Sequence, residues 1–196
     1  MSGRSRFYRL GAVGLVAALA ACSSPDPTLY TIAPVSGAVQ VGGPKVIQLQ
    51  QIALARYLER SQIVRSSENY RLDVRANDWW GEPLAAMLSR VLSEEIGQRL
   101  PQSAVVGETG AVSASPGATI ELNVQRLDED SAGALVLQAQ SNVSFKGKSA
   151  PILRSFRFTV PLPAPGTRGE VAAISIATGQ LADSLVAMLL AGPGPR

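Results

Sequence analysis

The chain has 196 residues, with 18 Lys plus Arg, 15 Asp plus Glu, no histidine and one cysteine. The missing histidine excludes Ser-His-Asp and Cys-His catalytic pairs and any imidazole metal ligand, and a lone cysteine allows neither an internal disulfide nor a multi-cysteine cluster. The length suits one domain, and 46% hydrophobic with 17% charged residues fits neither a disordered chain nor a many-span membrane protein.

The formal charge of +3 would suggest an anionic partner if the basic residues belonged to the folded part. Three of them do not. Arg4, Arg6 and Arg9 open a leader that continues through apolar Leu10 to Ala21 and ends in Leu19-Ala20-Ala21-Cys22. A basic start, an apolar stretch and a small-residue cleavage site describe a secretory signal, too short to span a bilayer. The last four residues resemble the bacterial lipobox, and the chain's lone cysteine stands at its modified position. Residues 1–21 are therefore expected to be a lipoprotein signal peptide, with Cys22 the lipidated N-terminus. Removing the leader leaves 15 basic against 15 acidic residues, a formal net of zero. Ser23 follows the cysteine instead of the aspartate that tends to signal inner-membrane retention, so the class resemblance favours the periplasmic face of the outer membrane. Only the six residues Ser23 to Thr28 separate the anchor from the first strand-like segment, a reach of roughly 20 Å when extended.

The mature chain, 29–192, reads as one domain with a short tail at 193–196. Leu29 to Ile32 is a short strand candidate, 35–44 a glycine-rich loop, Lys45 to Ile52 a second strand and Ser61 to Arg65 a third. Tyr70, Leu72 and Val74 alternate with Arg71, Asp73 and Arg75, which predicts a strand with one buried face. Leu84, Met87, Leu88, Val91, Leu92, Ile96 and Leu100 then recur at spacings of three and four, an amphipathic helix stopped by Pro101. Asp78 is its candidate cap, and Glu82 and Pro83 suit the first turn. After Ala104 to Val106 and a Gly/Ser/Pro-rich loop come three alternating segments, inward residues running Ile120–Val124, Leu135–Phe145 and Phe156–Val160. Short connections make them an antiparallel meander. A second helix is expected over Glu170 to Ala191. The fold class is thus α+β: a mainly antiparallel sheet with two principal amphipathic helices packed on one face.

No segment carries a catalytic or cofactor fingerprint. Asp128-Glu129-Asp130 lacks the glycine and distal glutamate of a calcium loop and is expected to be a solvated hairpin turn. The polar faces of the meander hold Gln, Asn, Ser and Thr and lack the Lys/Arg-rich surface that nucleic acid requires. No cofactor, metal or nucleic-acid partner is expected, and no enzyme. Trp79 and Trp80 stand just before the first helix, one expected in the core and the other at an interface. Tyr57 and Arg60, on a connection between strands, are further interface candidates.

Several stretches resemble a known family. Tyr30-Thr31-Ile32-Ala33-Pro34 after a lipobox, Val46 to Ile52, Tyr57-Leu58-Glu59-Arg60-Ser61-Gln62-Ile63-Val64-Arg65, and Trp79-Trp80-Gly81-Glu82-Pro83-Leu84 opening a helix are similar to the PqiC/YmbA family of ABC-type transport auxiliary lipoproteins. The family commonly has prolines near Ala55 and at the place of Ser61, where this chain departs from it. The resemblance implies a non-enzymatic subunit of an MCE-type lipid transport system. Its partners would be a periplasmic MCE-domain protein (PqiB-like) and the inner-membrane transporter that goes with it, met by a homo-oligomeric ring of this chain. The alternative reading is a lipid-carrying or outer-membrane assembly lipoprotein that holds an acyl chain in its own core.

Overall fold

The computed structural model describes residues 26–108, 114–147 and 150–192; the signal peptide, Cys22 and the tail lie outside them. Nine strands and two helices follow one another as β1 (Thr28–Tyr30), β2 (Val46–Leu49), β3 (Ala53–Leu54), β4 (Gln62–Ser66), β5 (Asp73–Trp80), α1 (Leu84–Arg99), β6 (Ala104–Gly107), β7 (Ala118–Glu129), β8 (Ala134–Phe145), β9 (Ile152–Pro161) and α2 (Thr167–Ala191). A 3-10 turn at Arg56–Leu58 links β3 to β4. The domain is α+β, as the periodicities predict.

The meander is antiparallel throughout: β7 pairs with β8, and β8 with β9. The other edge of β7 is shared by three short strands, each parallel to it. β2 lies against Ala118–Ile120, β3 against Asn123 and Val124, and β4 against Glu129. β6 extends the β2 branch, while β5 and then β1 extend the β4 branch. The sheet therefore forks along β7, and β1 stands at the outer end of one branch.

Both helices cover one face. Met87, Val91, Leu92 and Ile96 from α1 meet Ile174, Ala177, Leu181 and Leu185 from α2 over Ile47, Ile120, Leu137 and Val143 of the sheet. Helix α2 is long and apolar enough to cross a membrane by length and composition, but 67% of its apolar window is buried inside the domain. It is the core helix. It starts at Thr167, three residues earlier than expected, because the 162–166 loop folds back over its first turn; a Cβ on Gly169 would lie 1.6 Å from the Ala164 carbonyl oxygen.

The glycine-rich segment after β1 is a strap laid along the groove between the helices. The Ala33 N–H donates to Ser175 Oγ (3.2 Å), Val35 N–H to Glu95 Oε1 (2.7 Å), Gly37 N–H to Gln98 Oε1 (3.0 Å) and Gln40 N–H to the Arg99 carbonyl (2.7 Å). As the strap advances it meets later residues of both helices, so α1 and α2 run side by side in the same direction.

Three local expectations are corrected. Tyr70 and Leu72 do not enter the sheet: both are exposed, and Asn69 and Tyr70 have positive φ, so the chain turns at 69–70 and β5 begins only at Asp73. Asp78 does not cap α1; it lies within β5 and accepts a hydrogen bond from the Thr167 hydroxyl, tying the sheet to the start of α2. Asp128 and Glu129 are not a solvated turn but the buried end of β7, held there by Tyr57, Ser67 and Arg126 on Asp128 and by Arg75 beside Glu129; only Asp130 caps the hairpin, accepting from the Ala132 and Ala134 N–H groups.

Candidate functional site

Residues of the Tyr57–Arg65 and Trp79–Leu84 segments come together where the strands end beside the N-terminus of α1. Hydrogen bonds fix the meeting: Trp80 N–H donates to the Ser61 carbonyl (2.7 Å) and Gly81 N–H to the Tyr30 carbonyl (2.8 Å). Pro83 is the boundary residue of α1; it needs no N–H there, and its carbonyl takes the Met87 N–H at 3.0 Å. The result is an open groove of about 390 Å³ with Arg60, Ser61, Trp80, Glu82 and Leu84 on its walls. A second groove, about 290 Å³ between Gln51, Ile52, Ala86 and Glu108, shares Pro83 and Ala85 with the first. The first turn of α1 is thus a ridge between two grooves.

The four interface candidates divide. Trp80 is buried and packs in the core, with one edge closing the groove floor. Trp79, its neighbour on the strand, points to the opposite face and stays partly exposed, its indole N–H donating to the Ala76 carbonyl at 3.0 Å. Arg60 is exposed on the groove rim. Tyr57 is a framework residue. Its hydroxyl donates to Asp128 Oδ2 (2.7 Å), a fully buried carboxylate that also accepts from Ser67 Oγ (2.8 Å) and Arg126 Nε (2.9 Å). Burial, reinforced by the adjacent Asp128, pushes the phenol well above its ordinary range and keeps it protonated as a donor. Tyr57 so clamps the 3-10 turn, and with it Arg60, onto β7.

Two more charge clusters escaped sequence reasoning. Near the start of β5, Arg75 Nε donates to Glu170 Oε2 at 2.9 Å and its guanidinium stands 3.6 Å from Glu129, beside a 660 Å³ cleft lined by Arg65, Arg71 and Asp73. Burial pushes Glu170 up to about 7, against the pull of Arg75. At the strap, Arg99 is 1% exposed and its donors are taken by Asp183 Oδ1 (2.5 Å) and the carbonyls of Val35, Glu95 and Gly179 (3.1–3.2 Å). Neither cluster presents a nucleophile beside a base, and both spend their hydrogen bonds on joining elements. Their sequence signal was weak: Glu95 and Arg99 each stand on the apolar stripe of α1, a placement that only an internal partner can stabilise.

A model of the ABC-type transport auxiliary lipoprotein component family matches residues 28–186. The chain belongs to this family. The resemblance carried by the Tyr57–Leu84 residues is thereby confirmed, and the match covers every strand and all but the end of α2. The family is a transport auxiliary component, not a family of enzymes, and its lipoprotein character implies attachment to an envelope membrane. No curated protein matches the chain. Among solved structures, it is similar to an uncharacterised protein (TM-score 0.70, 16% identity, covering 83% of this chain and 98% of that one). It is also similar to a Xanthomonas campestris protein of the DUF330 family (TM-score 0.64, 18% identity, 84% and 95%). At these identities the likeness is one of fold. The PelC dodecamer from Paraburkholderia phytofirmans is more distant, with a TM-score of 0.42 at 12% identity.

Proposed function

We propose that this auxiliary lipoprotein is anchored through Cys22 to the periplasmic face of the outer membrane, where it docks the periplasmic MCE-domain protein of an ABC-type lipid transport system and supports envelope integrity. The observation that carries the reading is the family match across the folded domain, with the motif residues Arg60, Trp80, Glu82 and Leu84 gathered around one groove. A surface where a few aromatic and arginine side chains line a semi-apolar recess is the usual form of a protein docking point. The inner-membrane transporter is reached through the MCE protein, and several copies of this chain assemble as a ring around its end. The lipid-carrying alternative would need a vacant apolar space between sheet and helices; Ile47, Met87, Ile96, Leu137 and Leu185, all fully buried, occupy that interface.

The deciding experiment is affinity capture of the full chain from detergent-solubilised membranes followed by mass spectrometry. Recovery of an MCE-domain protein is expected, and its loss when a photo-crosslinker at position 60 is replaced by one on exposed Gln125 of the meander would locate the contact. Capture without any MCE-domain protein would defeat the docking reading. The anchor has its own test: Cys22→Ala should move the protein into the soluble periplasmic fraction.

A further inference from the structure

We propose that the outer face at the β1 edge, formed by Leu29 and Trp79, is a lipid-contact surface that seats the domain on the membrane holding its anchor. The inference rests on the lipidation of Cys22 put forward above and goes on to say how the domain lies.

The register places Leu29 directly beside Trp79, one step before the pair Tyr30 and Trp80. Tyr30 and Trp80 pack against the core, so the alternation of a strand puts Leu29 and Trp79 together on the opposite face. That face is bare. Leu29 is 63% exposed on a three-residue edge strand, among the most exposed large apolar side chains described. Trp79 is held flat along its own strand by the bond from its indole N–H to the Ala76 carbonyl, so its ring cannot fold into the core. The neighbouring positions on this face, Asn77 and Gln62, are neutral and polar.

The chain entering this edge names the occupant. Six residues join Cys22 to Thr28, and even fully extended they span roughly 20 Å. A lipidated Cys22 therefore holds the Leu29–Trp79 face within that distance of the acyl chains for the whole life of the protein. Tryptophan, with an apolar ring and one N–H, favours the boundary between headgroups and hydrocarbon. A neutral patch with a leucine beside it meets no charge barrier to lying there. Because the anchor already confines the domain, the patch has only to choose its orientation, and a small contact suffices where free binding would need a larger one. The groove at the start of α1, on the same end of β5, would then open at a fixed height above the bilayer.

The chain contains two tryptophans, and Trp80 is buried, so Trp79 is the natural reporter. The test uses the full lipidated chain reconstituted in vesicles of phosphatidylethanolamine and phosphatidylglycerol whose acyl chains carry bromine close to the headgroup. Tryptophan emission should fall relative to unbrominated vesicles, with the loss abolished in Trp79→Phe and reduced in Leu29→Glu while both variants still float with the vesicles. Flotation without quenching overturns the lipid-contact surface and leaves the anchor standing. Failure to float overturns the anchor and the surface with it. Unquenched emission together with a lower oligomer mass in Leu29→Glu would assign the patch to a second copy of the chain and overturn the proposal.

Discussion

The helix pair has two unlike ends. Toward its C-terminal half the strap closes the groove between α1 and α2, and the closure is polar: Glu95 and Arg99, both 1% exposed, bond to strap backbone, to Asp183 and to the Gly179 carbonyl. The fit is tight enough that a Cβ on Gly37 would fall 2.3 Å from the Arg99 guanidinium. At the N-terminal end, Arg60 and Glu82 are the same residue types, yet both line an open groove, where Glu82 pairs at the surface with Arg90 (2.6 Å) and not with Arg60. Burial makes the first pair structural: Arg99 keeps its charge because its donors are taken, while burial pushes Glu95, whose Oε2 has no hydrogen-bond partner among the described residues, toward its neutral form. Exposure keeps the second pair within reach of another molecule: Arg60 stands in solvent on the rim, and a surface pair such as Glu82 with Arg90 is weak.

The contrast breaks most visibly at Arg99. Arg99→Ala removes five donors from a closed site and strands Glu95 beside a cavity; a loss of about 3–5 kcal/mol is expected from breaking a buried charge network, read as a fall in the urea midpoint. An unchanged midpoint would mean the strap is not held by this residue. A smaller effect comes from pH. Burial pushes Glu95 up to about 7, only partly offset by the Val35 N–H and Arg99. Its folded form thus keeps a proton that the unfolded chain has already released, so its contribution to stability is whole below about pH 4.5 and is lost as pH rises through 7. Unfolding midpoints should be lower at pH 7.5 than at pH 5.5, and Glu95→Gln should shrink the difference. Glu170 and Glu129, both pushed up by burial at the other cluster, act in the same direction.

What the sequence makes legible depends on how local the physics is. Helix α1 ends one residue from its predicted limit because seven apolar residues repeat the helical period, and the meander is readable because each strand alternates and each turn is short. The forked, parallel half of the sheet leaves no such trace: β2, β3 and β4 find β7 only after long excursions, and parallel register has no turn to announce it. Tyr70 and Leu72 show how a short alternation misleads, since three matches at period two cost a turn nothing. Asp128 is the converse. Its charge and its neighbours look like a surface turn until Tyr57 and Ser67, 71 and 61 residues away, supply the bonds that let it be buried. Of the candidate site, the motif segments were visible as a resemblance; that they enclose a groove required the Trp80–Ser61 and Gly81–Tyr30 bonds.

The smallest change in stability belongs to the residue with the largest expected effect on partnership. Arg60 is exposed, and an exposed arginine contributes little to folding, so Arg60→Ala should move the unfolding midpoint by less than about 0.5 kcal/mol. Its backbone stays in place because the turn is clamped by Tyr57 on Asp128 and by the buried Leu58, not by the guanidinium. Loss of MCE-protein capture by a fully stable Arg60→Ala variant would therefore separate docking from folding, which no substitution at Trp80 can do: Trp80 serves the core and the groove at once. Undiminished capture by Arg60→Ala would move the docking surface away from this rim, toward the second groove beyond the Pro83 ridge, where Gln51→Ala makes the same comparison on the other side of α1.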